Sequence, residues 1–382
     1  MEGQRVLAGL RFDPWKGLEG LEAAVPFWRQ LQPLVALDPL CNDPDWGLAY
    51  ARAHRLGDQA FGWCVRDASG APAAFLAFRR EPSRGRFALR RALLLCDGTF
   101  DSDYIDLVVR PGLEHDVLSA TIDALAGTRG VDAVHYHAAY EGSPVARALG
   151  DVLERRGLPS RTAGVPCADA PLTETFDTYL ASLKKRMRSK VRQALRVAEE
   201  RGATLSWCHD AATLDEHLEG LFRLHGMRWE ESGEAGAFAS EDRRRFYRAF
   251  APLALDAGTL RFSRLDLDGR PVAYQFGARV GERYYQMQEG YDTTLAEARV
   301  ATALRGLSVR ALIEEGVRHY DFMAGMSRHK RDWGGAPHDC VSIAFALPNV
   351  RARLSYGARA LVDRIRASRT EPEADEARAS SA

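Results

Sequence analysis

Apolar positions along the chain follow two rhythms, alternation every second residue and recurrence every third or fourth, and their order divides the sequence in two. In the first half strands are predicted at residues 61–66 and 73–78, around the turn Ala68-Ser69-Gly70, and at 92–95 and 104–109. A helix over 113–125 and a strand over 133–137 follow. In the second half strands at 260–267, 272–279 and 283–289 precede a helix over 297–315 and a strand over 318–322. Strands, a helix and a strand thus occur twice, without residue-level identity between the two passes. Gly164, Pro166 and Pro171 interrupt the periodicity between them and place a boundary near residues 161–172. The expected organisation is a first module over 1–170, a second over 171–366, and a tail over 367–382 whose small and polar residues predict disorder.

The second module opens on an amphipathic pattern. Phe176, Leu180, Leu183, Met187, Val191, Ala194 and Ala198 recur at helical spacing, which predicts one long helix with Thr173 placed to cap it and Gly202 to end it. The other face carries Lys184, Lys185, Arg186, Arg188, Lys190, Arg192 and Arg196 with no acid among them. Two readings are open for this face. It is a solvated charge run, or it is a wall that attracts phosphate from a nucleotide-like donor, a phosphorylated acceptor or an RNA end.

Composition narrows the classes. Of 382 residues 46% are hydrophobic, with no apolar run of membrane-spanning length, as in a globular protein without a transmembrane segment. Lys+Arg 52 balances Asp+Glu 52, so global charge draws the chain neither to DNA nor to an anionic membrane, and any polyanion contact must be local. The start Met1-Glu2-Gly3-Gln4-Arg5 lacks a secretory pattern, and a cytoplasmic setting is expected. Six scattered cysteines with no C-x-x-C pair predict reduced thiols and no zinc site. His135 and His137 share a strand face but have no third ligand nearby in sequence, so no metal is expected.

Several stretches carry a further signal by their order. They are 183–202, Leu224-His225-Gly226-Met227-Arg228-Trp229, Gly269-Arg270-Pro271-Val272-Ala273-Tyr274, Gln288-Glu289-Gly290-Tyr291-Asp292, Tyr320-Asp321-Phe322, and Lys330 with Trp333-Gly334. Together they resemble the BioF2-like or CelD-like acyltransferases of the GNAT superfamily, which are related to the FemAB peptidyltransferases. The resemblance is strongest over 176–335, and Asp103-Tyr104-Ile105-Asp106-Leu107 is similar to a pattern in relatives. It implies an α/β fold of two tandem GNAT-like modules, mixed sheets flanked by helices, with the second module catalytic. The implied reaction moves an acyl group from a thioester, acyl-coenzyme A, to an amine of an amino sugar, amino acid or peptide in envelope polysaccharide or natural-product assembly. Two alternatives stand beside it: a FemAB-type transferase fed by aminoacyl-tRNA through the 184–196 helix, and a non-catalytic module that keeps the groove.

The resemblance also implies a site. In a GNAT groove two parallel strands splay, the donor's pantetheine arm lies between them, and its pyrophosphate meets amides at the next helix start. Here Gln286, Met287 and Gln288 would line the arm, and Arg299, Val300, Ala301, Thr302 and Ala303 would meet the phosphates. Relatives usually place glycine in that turn, where this chain has Ala301 and Ala303. Acyl transfer to an amine needs a base and a stabiliser for the oxyanion. Glu289 at a strand end is the candidate base, Tyr291 a candidate proton donor and Asp321 a further catalytic candidate. Lys330 lies in a stretch resembling the Phe-Lys-x-Gly-Phe-Gly region of FemAB relatives, whose lysine is assigned to donor phosphate or developing negative charge. Asp292, Trp229, Trp333 and Tyr104 are the expected substrate contacts. For Asp292 and Asp321 a loop-fixing role is an open alternative.

Overall fold

A strand, two helices, three strands, a helix, a strand, a helix and a closing strand occur in that order twice along the chain. The computed structural model describes residues 4–35, 40–81, 89–97, 102–231 and 233–352. The tail expected over 367–382 and the expected end of the second module lie outside them.

The first pass begins with a short β1 (Arg5–Leu7) ahead of β2 (Leu10–Lys16), α1 (Gly17–Leu31) and α2 (Pro44–Ala53). It continues through β3 (Ala60–Arg66), β4 (Pro72–Arg80), β5 (Arg91–Leu94), a two-residue β6 (Val108–Val109), α3 (Glu114–Ala126), β7 (Ala133–Tyr140), α4 (Pro144–Arg155) and β8 (Ser160–Pro171). Two helices, α5 (Phe176–Ser182) and α6 (Lys185–Glu200), lead into the second pass. That pass runs β9 (Thr204–Trp207), α7 (Ala211–Glu231), α8 (Glu241–Asp256), β10 (Leu260–Leu267), β11 (Arg270–Val280), β12 (Arg283–Tyr291), α9 (Val300–Glu314), β13 (His319–Ala324), α10 (Arg328–Asp332) and β14 (Ala336–Ala346).

All the strands join one sheet in the order β1-β2-β3-β4-β5-β7-β14-β8-β13-β12-β11-β10-β9, with β6 beside β4. The closing strands are exchanged between the modules. β14 lies antiparallel to β7 of the first module, and β8 lies antiparallel to β13 of the second. The two exchanged strands pair with each other over ten residues, from Ala336 opposite Asp169 to Phe345 opposite Ser160. The boundary expected at 161–172 is therefore a central strand. β13 reaches Pro166 only past a bulge: Ala324 lies opposite Cys167, and Gly325 donates its N–H to the Pro166 carbonyl at 2.7 Å, so the proline serves there as an acceptor.

The one long helix expected at the start of the second module is two. Leu183 and Lys184 adopt extended backbone between α5 and α6. Thr175, not Thr173, caps α5, in a reciprocal pair with Thr178. Gly202 ends α6 as expected, at φ 62. The strand expected over 104–109 is reduced to Val108–Val109, because Tyr104 takes a left-handed conformation at φ 58. The helix expected over 297–315 starts only at Val300, after a left-handed Arg299 at φ 51. No helix among the described residues is long and apolar enough to cross a membrane.

Packing places the modules against each other on the helical side as well. Trp46 of α2 meets Phe246 and Phe250 of α8 edge-on, with centroids 4.9 and 4.7 Å apart. Within the second module α7 lies against β12 at Gly290, where an added Cβ would stand 2.5 Å from the His225 nitrogen and 2.9 Å from the Leu221 carbonyl oxygen. Both obstacles are backbone and cannot swing aside. Gly290→Ala is therefore expected to destabilise the fold by about 1–3 kcal/mol through overpacking, read as a lower urea midpoint; an unchanged midpoint would refute the close approach.

Candidate active site

The loop of residues 102–107 follows from its polar residues, each of which has a specific partner. Asp103 accepts the Ala324 N–H at 2.8 Å, and Tyr104 donates its hydroxyl to Asp321 at 2.8 Å. Both partners belong to β13, in the other module. Asp106 stays within its own module, where the Tyr136 and Ser143 hydroxyls donate to it while Ser143 also caps α4. The motif singled out in the first half is thus a latch between the modules.

The end of β13 is held from three directions. Met323 is left-handed at φ 59, a strained state for a side chain other than glycine. The Asp321 carboxylate accepts the Met323 N–H at 2.7 Å, the Tyr104 hydroxyl, and Arg283 at 2.9 Å. Lys330, from α10, donates to the carbonyls of Phe322, Met323 and Ala324 at 2.7, 3.2 and 2.6 Å. Three acceptors use all three N–H groups of its ammonium. Lys330 therefore supports the strand end in this state and does not reach out to a ligand.

These groups border a cavity of about 630 Å³ at the seam of the modules, lined among others by Tyr104, Asp106, Asp169, Arg283, Asp321 and His338. Its electrostatics are lopsided. Asp106, Asp169 and Asp321 face one guanidinium, Arg283, which bridges Asp169 at 3.3 Å and Asp321 at 2.9 Å. Burial pushes the Asp321 carboxyl above its ordinary range, against the Met323 and Arg283 contacts, and pushes Asp106 up to about 6. Burial and the neighbouring Asp321 hold Tyr104 as a phenol. Such a wall favours a cation and offers carboxylates able to take a proton near neutral pH.

The splay anticipated between β12 and β13 is present. The two strands pair in parallel only from Arg283 opposite His319 to Tyr285 opposite Asp321, and β12 bulges at Met287 on its other side. Arg305 of α9, 2% exposed, bridges the parted strands: it is ion-paired with Glu289 of β12 and lies 5.5 Å over the rings of Phe322 and Trp333. Burial alone would raise Glu289, but Arg305, His329 and Arg228 outweigh it and hold the carboxyl below its usual range. Glu289 is thus a counterion with weakened basicity. The sequence signal for Arg305 was available, as a lone charge among Ala303, Leu304, Gly306 and Leu307.

The remaining expected residues divide by place. Tyr104 and Asp321 meet at the cavity. Tyr291 and Trp229 flank Arg228, each ring about 5.5 Å from its guanidinium, beside Glu289. Trp333 is buried, and its carbonyl accepts the Tyr179 hydroxyl at 2.8 Å. Asp292 is half-buried and accepts the Thr294 N–H and hydroxyl, the loop-fixing role. Gln286 and Gln288 lie on β12, and Gln288 hydrogen-bonds His225. Arg299 stands just ahead of α9, Val300 and Ala303 are in the core beneath it, Thr302 is buried, and Ala301 is half-buried. The structure adds His338, Arg283, Asp169, Asp103 and Asp106 to the cavity or its rim.

Comparison with known proteins agrees with this architecture. Residues 185–331, from α6 to α10, match the family model described as an acetyltransferase (GNAT) domain. No curated protein matches the chain at a significant level. Among solved structures, FemX is similar at 12% identity over 86% of this chain and 96% of that one, with a TM-score of 0.60. A conserved protein of unknown function from Bacteroides thetaiotaomicron aligns at 13% identity over 84% and 97% (TM-score 0.55). A C-terminal domain from Agrobacterium fabrum, assigned to a lysylphosphatidylglycerol synthetase, aligns at 13% over 90% and 96% (TM-score 0.51). At these identities the likeness is one of fold. The GNAT-domain match is confined to residues 185–331, and the chain shares the fold of FemX over 86% of its length.

The latch predicts a pH signature. Burial pushes the Asp103 carboxyl up to about 6, above the ordinary aspartate range, so the folded chain binds this proton more tightly than the unfolded one. The group's contribution to stability is greatest below the unfolded value, falls as pH rises toward about 6, and is flat above. Asp103→Asn keeps an acceptor for the Ala324 N–H without the charge. Relative to wild type, the variant should gain stability, by roughly 1–3 kcal/mol, as pH rises from about 4 to about 7. Parallel denaturation curves that keep a constant offset across this range would refute the buried charge.

Proposed function

We propose that this chain, whose second half carries the GNAT domain, acylates a cationic amine seated in the cavity between its modules. The observation that carries the reading is the excess of carboxylates there, three against Arg283. An ammonium is drawn to such a wall but is not a nucleophile until it loses a proton. Asp321 is the carboxylate best suited to take it, since its carboxyl is raised by burial while the Tyr104 and Met323 contacts fix its orientation. The free amine then attacks the donor carbonyl, the amide forms, and the leaving group departs with a proton. Lys330 serves as a positioning residue through the backbone of β13. The acceptor class is an amino sugar, an amino acid or a peptide amine.

The GNAT domain supports a thioester donor, acyl-coenzyme A. A second donor, aminoacyl-tRNA, is favoured by a specific pair of observations. Arg305 and Glu289 bridge the strands where a pantetheine arm would lie, and α6, packed on α9, exposes Lys184, Lys185, Arg186, Lys190, Arg192 and Arg196. Neutralising a polyanion along such a helix releases counterions and makes binding salt-dependent.

Two measurements test these readings. With an amine panel and acyl-coenzyme A or aminoacyl-tRNA as donor, Asp321→Asn should lower kcat/KM by roughly a hundred- to ten-thousand-fold, with circular dichroism unchanged; wild-type turnover in the folded variant would remove the cavity from the reaction. Donor choice is read by melting temperature. If RNA is the donor, aminoacyl-tRNA alone should raise it, and changing Lys184, Lys185 and Lys190 to Gln should flatten the salt dependence by about one unit of slope per lost phosphate contact. A shift with acyl-coenzyme A alone, indifferent to those substitutions, would establish the thioester.

A further inference from the structure

Behind the cavity wall three side chains converge whose sequence positions give no hint of it. Cys167 lies on β8, and His338 and Cys340 lie on β14. Cys167 stands directly opposite His338 in the ladder, and Cys340 follows two residues on, so the pleat points all three to one face. The ligand atoms of the three lie within 4.8 Å of one another, and the two sulfurs are 3.2 Å apart. A tetrahedral zinc with Zn–S distances of about 2.3 Å and Zn–N of about 2.0 Å needs donors within roughly 4 Å of each other. Small rotations of the side chains reach that spacing.

The surroundings match such a cation in two further respects. Cys167 is 0% and Cys340 1% exposed, so the two sulfurs are screened from water, and a divalent ion would supply the charge that lets both lose their protons there. The tautomer of His338 is also set for ligation. Tyr104 gives its own proton to Asp321, so its oxygen accepts from the His338 Nε2 at 3.1 Å, and Nδ1 is left as the nitrogen with a lone pair. A carboxylate, a phenol and an imidazole in series orient a metal-bound histidine from its second shell.

The geometry points to a zinc-class divalent cation bound by Cys167, His338 and Cys340, with the fourth position taken by an oxygen donor from the cavity side, which His338 lines. Binding releases the two thiol protons to solvent. The ion would tie together the two exchanged strands, and the site stands whatever the cavity accepts.

Metal analysis of the full chain, purified under reducing conditions without chelator, should find one zinc per molecule. After stripping, Co2+ should give the visible absorption of a tetrahedral ion with thiolate charge transfer in the near ultraviolet. Cys340→Ser and His338→Ala should each lose the metal and the band. Should either variant fail to fold, the wild-type chain decides: bound Co2+ should shield both cysteines from alkylation, located by peptide mass. A folded, reduced chain that retains no zinc and gives no Co2+ band overturns the site. So does an intact mass two hydrogens lower before reduction with Cys167 and Cys340 linked, which would make the pair a disulfide.

Discussion

The site depends on how the chain leaves β13. A sheet strand normally passes its backbone groups to neighbours on both sides, but beyond Asp321 this one bulges through a left-handed Met323: its pairing with β12 ends, and pairing with β8 resumes only at Ala324. The carbonyls so released would carry a heavy desolvation cost if buried alone. One ammonium, Lys330, satisfies three of them, while the freed N–H groups go to Asp321 and Asp103. The strain at Met323 is thereby held by charged groups on three separate segments. Asp321 keeps its place at the cavity because the turn beside it cannot relax.

This arrangement divides labour between modules that share a topology. The second has the parted strands β12 and β13 and the start of α9, with Arg305 and Glu289 set across the gap. The first supplies a loop, 102–107, whose polar side chains reach over the seam. The acidic cavity lies where the two halves meet. Asp106 performs a local version of the same task, joining the loop to Tyr136 and the cap of α4.

Where periodicity alone decides structure, the sequence was readable. The alternating runs at 260–267, 272–279 and 283–289 became β10, β11 and β12, and the apolar stripe near 300 became α9. The break at Leu183 was hidden because hydrophobic spacing continues across it. Tyr104–Leu107 read as a strand since its residues favour one, yet hydrogen bonds to another module override that preference. Glu289 at a strand end suggested a base, and its role as a counterion depended on Arg305, sixteen residues away on a helix. Cys167 and His338 are opposite each other only because the closing strands are exchanged, a relation that no local pattern encodes.

The exchange of closing strands also sets the order in which the protein can be completed. β14 is the last strand among the described residues, and it pairs with β7, placing Ile343 against Tyr136. During synthesis the first module therefore emerges with β7 paired only to β5 and β8 without either of its partners, β13 and β14, so unpaired edges persist while nearly all of the second pass is translated. Contacts of such sequence separation are slow to form. The two halves cannot mature as independent beads on a chain; the sheet becomes continuous in one late closure, and the cavity at the seam comes into being with it.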